Sequence, residues 1–186
     1  MDPWLRGHPP ETMPAGSAWL RRWRLDDVPA LVEAVTASFD HLRPWMAWAQ
    51  QMPTTDGMQA FVAGCDNSWA SGREFTYAAV SLEGSDVLGS CGLWPHPVAG
   101  AMEIGYWIDR RQVRRGHATA AVRSLTAAAF TLPEVARVEI HCDEANAGSA
   151  GVARSAGYRL ERIRPREIRA PAETGREMVW VAERRT

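Results

Sequence analysis

The chain contains no lysine: all 21 of its basic side chains are arginine. That absence excludes a phosphate loop of the GK[ST] type, a Schiff-base lysine and a Ser-Lys dyad, each of which needs a primary amine. Cysteine is scarce as well. Cys65, Cys91 and Cys142 are odd in number and far apart, which matches neither a disulfide framework nor a CxxC metal site. Reduced thiols and no metal are therefore expected. Excess charge is missing too, since 21 basic residues face 22 acidic ones for a net charge of -1. Binding of nucleic acid by bulk electrostatics is not expected. No apolar run reaches the roughly 18 to 20 residues of a membrane span, and no charged segment with an apolar stretch and cleavage site opens the chain. The expectation is a cytoplasmic protein with no membrane partner.

What is present suits one globular domain: 186 residues, 46% hydrophobic and 23% charged. Residues 1–16 hold four prolines without periodicity and are expected to form an extended N-terminal arm, leaving 17–186 as a single domain. A strand is expected over 17–25, followed by a helix with Asp26 as its N-cap and Val28, Leu31, Val32 and Val35 on one stripe. Helices are also expected within 41–51 and over 55–71. Strands at 74–82, 87–95 and 102–109, separated by turn signals, predict an antiparallel meander. The alanine-rich run 118–132 predicts a long helix, 135–143 a strand, 147–156 a short helix closed by Gly157, and 158–169 with 176–183 two closing strands.

The turn between the 102–109 strand and the long helix is rich in arginine and carries Gly116-x-Ala118. The first N–H groups of a helix lack intrahelical partners and lie at the positive end of its dipole, so a diphosphate can rest on bare backbone there. Glycine lets that backbone come close. Taken alone, such a turn also occurs wherever a helix simply begins.

Beyond this single turn, EIGYWIDRRQVRRGHATAAV from Glu103 and EIHCDEANAGSAGVARSAGY up to Tyr158 resemble the acetyl-coenzyme A binding core of the GNAT superfamily of N-acetyltransferases. An HLRPWMAWA stretch near the front and a GYWI strand before the loop make the chain similar to the ribosomal-protein N-terminal (Rim-type) subgroup. The resemblance covers nearly all of the chain after residue 16. It implies a mixed α/β fold: a mostly antiparallel sheet of six to seven strands, flanked by helices and splayed between the fourth and fifth strands. It also implies acetyl-coenzyme A as co-substrate and direct acetyl transfer to a primary amine.

By the same resemblance the pyrophosphate loop falls on Val113, Arg114, Arg115, Gly116, His117 and Ala118. Val113 departs from the usual glutamine or arginine, at a place where the family relies on main-chain N–H groups. Backbone near Trp107 and Ile108 would hold the pantetheine arm as an added strand. Asn146 and Ser149 open the short helix, where a plain capping role is the alternative reading. Many family members carry a tyrosine seven residues after this asparagine; here that residue is Ala153, and Ser149 is the candidate acid for the departing thiolate. Glu103 is the candidate base, with a solvated strand carboxylate as the alternative, and His141, Asp143 and Glu144 as weaker choices. Cys142 matches a cysteine of some Rim-type enzymes, but its apolar strand face favours a packed thiol.

For the acceptor, His41, Trp45, Trp48 and Tyr106 are the candidate wall, against a reading in which Trp45 and Trp48, one helical turn apart, simply pack the core. The expected acceptor is a protein N-terminal α-amine. The alternatives are a small amine of polyamine or aminoglycoside type, or a non-catalytic acyl-coenzyme A binding module.

Overall fold

The computed structural model describes residue 5 and residues 7–184. Of the arm expected at 1–16, residues 1–4 and 6 lie outside the described residues, as do 185 and 186 at the far end. The rest of the arm contains an element. Thr12–Ala15 forms strand β1, antiparallel to strand β2 at Ala18–Arg22, which corrects the expectation of a segment without one. Met13 and Ala15 point into the core while Thr12 and Pro14 face out. An edge strand tolerates the proline because one row of its N–H groups has no ladder partner to lose.

β2 stops at Arg22, short of the expected end, and a 3-10 turn at Leu25–Asp27 leads into helix α1 at Val28–Ala37. The extra turn moves the N-cap position of α1 to Asp27, whose carboxylate turns back from the helix rather than capping it. Asp27, not Asp26, accepts the Arg24 N–H at 2.8 Å and takes both arms of the Arg21 guanidinium at 2.7 Å. Helix α2 is a single turn, Phe39–Leu42, and irregular turns rather than a helix carry the chain through the tryptophan-rich stretch. Helix α3 at Thr55–Ala70 is capped by Thr54, whose hydroxyl accepts the Gly57 N–H at 3.1 Å.

The meander follows as β3 (Phe75–Val80), β4 (Val87–Pro95) and β5 (Ala101–Ile108). Helix α4 (His117–Thr131), strand β6 (Arg137–Asp143), helix α5 (Ala147–Ala156), and strands β7 (Arg159–Pro165) and β8 (Arg176–Glu183) complete the chain. They build one sheet of eight strands in the order β1-β2-β3-β4-β5-β6-β8-β7. The expected count of six to seven is exceeded because β1 was hidden among prolines, so the expected fourth and fifth strands are β5 and β6.

All neighbouring strands are antiparallel except β5 and β6, which run parallel and pair only from Ala101↔Arg137 to Glu103↔Glu139. Beyond Glu103 the two strands diverge. From there β5 stays paired with β4, and β6 with β8, as far as Ile108 and Asp143 respectively. Val122, Leu125 and Ala129 of α4 pack one sheet face against Leu20, Leu93, Ile104 and Ile140. Leu31 and Val35 of α1, with Val62 of α3, cover the other face over Ala78 and Val80. Two anchored layers therefore hold the sheet open at one place, and the site lies there.

Candidate active site

The cleft follows from hydrogen-bond direction along β5. The Trp107 carbonyl is turned toward β4, where a Cβ added to Gly89 would meet it at 2.2 Å, and Asp109 donates its N–H to Leu88 of the same neighbour at 2.9 Å. Alternation then turns the peptide groups of Tyr106 and Ile108 into the gap beside β6. Ile108 thus presents its peptide group to the gap, whereas the expectation for the Trp107 backbone is corrected: its peptide is spent on the sheet, and it lines the cleft with its indole.

At the end of β5 the chain enters the arginine-rich turn through a fixed joint. Asp109 is buried and accepts the Arg111 N–H at 2.8 Å and the Arg111 guanidinium at 2.7 Å, while Ser38 at the end of α1 takes the Arg110 N–H at 2.9 Å. Burial alone would raise the Asp109 pKa, but the hydrogen bonds and charge of Arg111 hold it below the ordinary carboxylate range. From this joint the loop rises to α4. Arg114 (φ +64°) and Gly116 (φ +84°) both adopt the left-handed conformation that lets successive N–H groups line a concave anion site. The first hydrogen bond of α4 runs from Ala120 N–H to Gly116 C=O at 3.0 Å, which leaves the N–H groups of His117, Ala118 and Thr119 without helix partners. Val113, Arg114, Arg115 and Gly116 are exposed, and neither arginine has an ion-pair partner among the described residues. Burial, then Arg115, lowers the His117 pKa, and its Nδ1 is buried with no hydrogen bond.

Across the gap, Asn146 is the N-cap of α5, its side-chain oxygen accepting the Ser149 N–H at 3.0 Å. Ser149 does more than sit in the first turn. Its hydroxyl lies 2.9 Å from the Tyr106 hydroxyl, which also donates to the Ser149 carbonyl at 3.2 Å. Burial pushes the Tyr106 phenol well above its usual pKa, so it holds its proton. Ala153, fully buried under the helix, has no room for the tyrosine many family members carry; a tyrosine hydroxyl reaches the region from β5 instead.

The other face of β5 carries Glu103, Gly105 and the Trp107 indole. Trp48 lies with its ring 6.1 Å from that of Trp107 and is 51% exposed, so it lines an opening rather than a core. Trp45 is half-buried and His41 exposed, and both line the same cavity of about 1760 Å³ as Trp48, Tyr106 and the loop. Trp45 and Trp48 do not lie on a helix. Pro44 follows the single turn of α2, and the tryptophans sit on consecutive turns closed by bonds such as Ala49 N–H to Met46 C=O. Tyr106 stands apart from the other three, on the α5 side of the strand.

Glu103 is part exposed and has no arginine partner among the described residues; the His141 imidazole lies 3.7 Å away. His141 Nε2 donates to the Glu139 carboxylate at 2.6 Å. The other base candidates are engaged. Asp143 accepts from Ala145, Thr174 and Gly175 N–H groups, which outweigh its burial and lower its pKa; Glu144 pairs with Arg176 at 2.6 Å. Cys142 is buried and its thiol pKa is raised by that burial.

Sequence reasoning missed Trp94 and the Asp109 joint. Trp94 lies opposite Glu103 and lines the cavity, its indole crossing Gly92 and Gly105, where an added Cβ would meet the ring at 3.0 and 2.9 Å. Two glycines two and eleven residues away from a tryptophan carry no local signal.

Residues 18–159 match the acetyltransferase (GNAT) domain. The chain belongs to the GNAT acetyltransferase family and is, as such, an acetyl-coenzyme A-dependent N-acetyltransferase. No curated protein matches the chain. Among solved structures, it is similar to RimL, the ribosomal L7/L12 alpha-N-protein acetyltransferase in complex with coenzyme A, with TM-score 0.84 and 20% identity over 93% of this chain and 98% of that one. Mycobacterium smegmatis RimJ aligns with TM-score 0.79 and 23% identity over 95% and 86%. The microcin C7 self-immunity acetyltransferase MccE, in complex with acetyl-CoA and AMP, aligns with TM-score 0.83 and 14% identity over 93% and 98%. At these identities the likeness is one of fold.

Proposed function

We propose that the protein acetylates the N-terminal α-amine of a protein, by direct attack of the amine on acetyl-coenzyme A and with no metal taking part. Acetyl-coenzyme A supplies the acetyl group as a thioester. Three features of the chain fit it: the unpaired edges of β5 and β6, the concave loop with its bare N–H groups, and the unpaired Arg114 and Arg115 beside them. Arg114 and Arg115 add charge-assisted bonds to phosphate oxygens, and Ile108 and Tyr106 offer backbone to the pantetheine arm.

One observation carries the choice of acceptor: Glu103, the carboxylate free of arginine, stands in line with Trp107 on the strand face that opens past Trp48 to solvent. A wide mouth with an apolar wall accepts the end of a chain that continues outward. Glu103 takes the proton of the incoming ammonium, directly or through water. The task is light, since an α-amine with a pKa of about 7.7–8.0 is already partly neutral at pH 7, whereas a lysine amine near 10.4 is not. The Tyr106–Ser149 hydroxyl pair donates to the departing thiolate. The three buried, unpaired thiols suit a reducing compartment, and we place the reaction in the cytoplasm.

The test is thiol release from acetyl-coenzyme A with peptides bearing free Ala or Ser termini, an Nα-blocked lysine peptide, a polyamine and an aminoglycoside. Turnover confined to free termini supports the proposal. Turnover on the small amines alone moves the assignment to metabolite or antibiotic acetylation, and cofactor binding without release on any acceptor turns it toward a binding module.

A further inference from the structure

Outside the acetyl-transfer chemistry, the molecule gathers an unusual set of donors where β4, β5, β6 and β8 meet. Ligand atoms of His96, Glu103 and His141 lie within 4.8 Å of one another. Both imidazoles are at least nine-tenths buried, with side-chain exposures of 9% and 7%. His141 is oriented by a buried carboxylate: its Nε2 lies 2.6 Å from Glu139 Oε2, which fixes the proton on Nε2. Its Nδ1 makes no hydrogen bond and faces Glu103 and Glu177, each 3.7 Å away. A buried imidazole with one nitrogen held by a carboxylate and the other bare is the arrangement that presents a histidine to a metal.

The charges around it agree. Arg164 and Arg166 are bound to Glu177 at 2.7 and 2.9 Å, and Arg137 to Glu139 and Glu161 at 2.6 Å. Arg164 and Arg166 share the one carboxylate of Glu177, and Arg169, which also lines the cavity, pairs with Glu167 at 3.9 Å; each cation is thus turned to a carboxylate outside the donor set, and Glu103 has no arginine partner among the described residues. A second cavity of about 410 Å³, lined by His96, Glu103, His141, Arg164, Arg166 and Glu177, gives an ion a way in.

We propose that His96, Glu103 and His141 form a binding site for a late first-row divalent cation of the Zn²⁺ class, and that an ion there shuts off acetyl transfer by occupying Glu103. The donor set of two imidazoles and one carboxylate selects Zn²⁺ over Mg²⁺ or Ca²⁺, and leaves a fourth position for water. Bonds of about 2.0–2.2 Å put tetrahedral donors roughly 3.3–3.5 Å apart, so the donors must draw in. Glu103, 39% exposed, is free to swing. An ion on His96 Nε2 requires the ring proton on Nδ1, gives up the contact there from Val98 N–H, at 3.2 Å the long end of hydrogen bonding, and replaces the approach of Nε2 to the Glu139 carboxylate at 3.6 Å.

The inhibitory part rests on Glu103 being the base; the binding part does not. Chelator-treated protein is titrated with Zn²⁺ and, separately, Mg²⁺ by calorimetry, and with Co²⁺ by visible absorption. One Zn²⁺ per chain, no Mg²⁺ heat, and a tetrahedral Co²⁺ spectrum without sulfur charge transfer are expected. His96→Gln, which lies outside the transfer machinery, should weaken Zn²⁺ by roughly tenfold or more, and Glu139→Gln by roughly ten- to hundredfold through the lost support of His141. In the acetylation assay Zn²⁺ should suppress turnover in step with its binding, and His96→Gln should need roughly tenfold more while keeping its metal-free rate. No stoichiometric Zn²⁺ uptake, a sulfur-ligated Co²⁺ spectrum, or unchanged affinity in folded His96→Gln would overturn the site. Should the variants unfold, stoichiometry and the Co²⁺ spectrum of the unaltered protein decide. Should no acceptor turn over, those same readouts still test the site, separately from the function.

Discussion

In the half of the cleft proposed for the cofactor the surface is backbone: the loop at 113–118, the start of α4 and the free edge of β5. In the half proposed for the acceptor it is side chains brought from distant segments, Trp48 after α2, Trp94 on β4, and Glu103 and Trp107 on β5. The two halves meet on opposite faces of β5, whose alternation sends the Tyr106 hydroxyl to α5 and the Trp107 indole to the other side. A backbone site depends on chain direction more than on residue identity. A side-chain site can change its guest without disturbing the fold.

That difference predicts separable defects. The largest expected effect is Glu103→Gln, which should lower kcat by about 10² or more at pH 7 while leaving the dissociation constant of acetyl-coenzyme A unchanged. Raising the pH should recover part of the loss, because more of the amine arrives neutral. Equal loss of cofactor affinity would erase the division between the halves. Next, Gly116→Trp should raise the KM for acetyl-coenzyme A by roughly tenfold or more and leave the acceptor KM alone. No protein atom lies within 4 Å of a Cβ there, so the clash falls on the phosphates; the left-handed φ adds about 1–2 kcal/mol of strain, visible as a lower Tm.

The same difference decides what could be read from the amino acids. Strands 87–95 and 176–183 and the helix 147–156 have the bounds that periodicity and punctuation predict. The left-handed turn ahead of α4 was legible because its signal is local: glycine, a small residue two further on, then a helix. β1 was not, since two buried residues alternating among prolines give no run long enough to register. The pairing of Tyr106 with Ser149 spans 43 residues and that of His141 with Glu103 spans 38, and neither strand marks its partner. Asp109 looked like the end of a strand; only the fold shows Arg111 and Ser38 closing on it.

At the boundary of the halves, Ser149→Ala and Tyr106→Phe should each lower kcat by roughly tenfold or less, because the partner hydroxyl or a water still reaches the thiolate. A coenzyme A thiol with a pKa near the roughly 8.5 of free cysteine asks little of its acid. The double variant should lose more than either alone but less than their product, the signature of two groups sharing one task. Strict multiplication of the two effects would show that they act apart.

The smallest effect on catalysis is expected at the joint that carries the loop, where the readout is stability. Asp109→Asn should destabilise the fold by roughly 1.5–3 kcal/mol near neutral pH, since a buried carboxylate bonded to a guanidinium is replaced by an amide. Its pH dependence has a definite sign. Arg111 holds the folded pKa below the unfolded value of about 3.9, so the carboxylate stabilises the native state fully above that pH and loses this contribution as pH falls through the folded value. The Tm gap between the unaltered protein and Asp109→Asn should therefore stay constant from pH 7 to about 5 and close below about pH 4. A gap that persists in acid would mean that Asp109 holds the loop by shape alone, and that its charge has no part in presenting the phosphate turn.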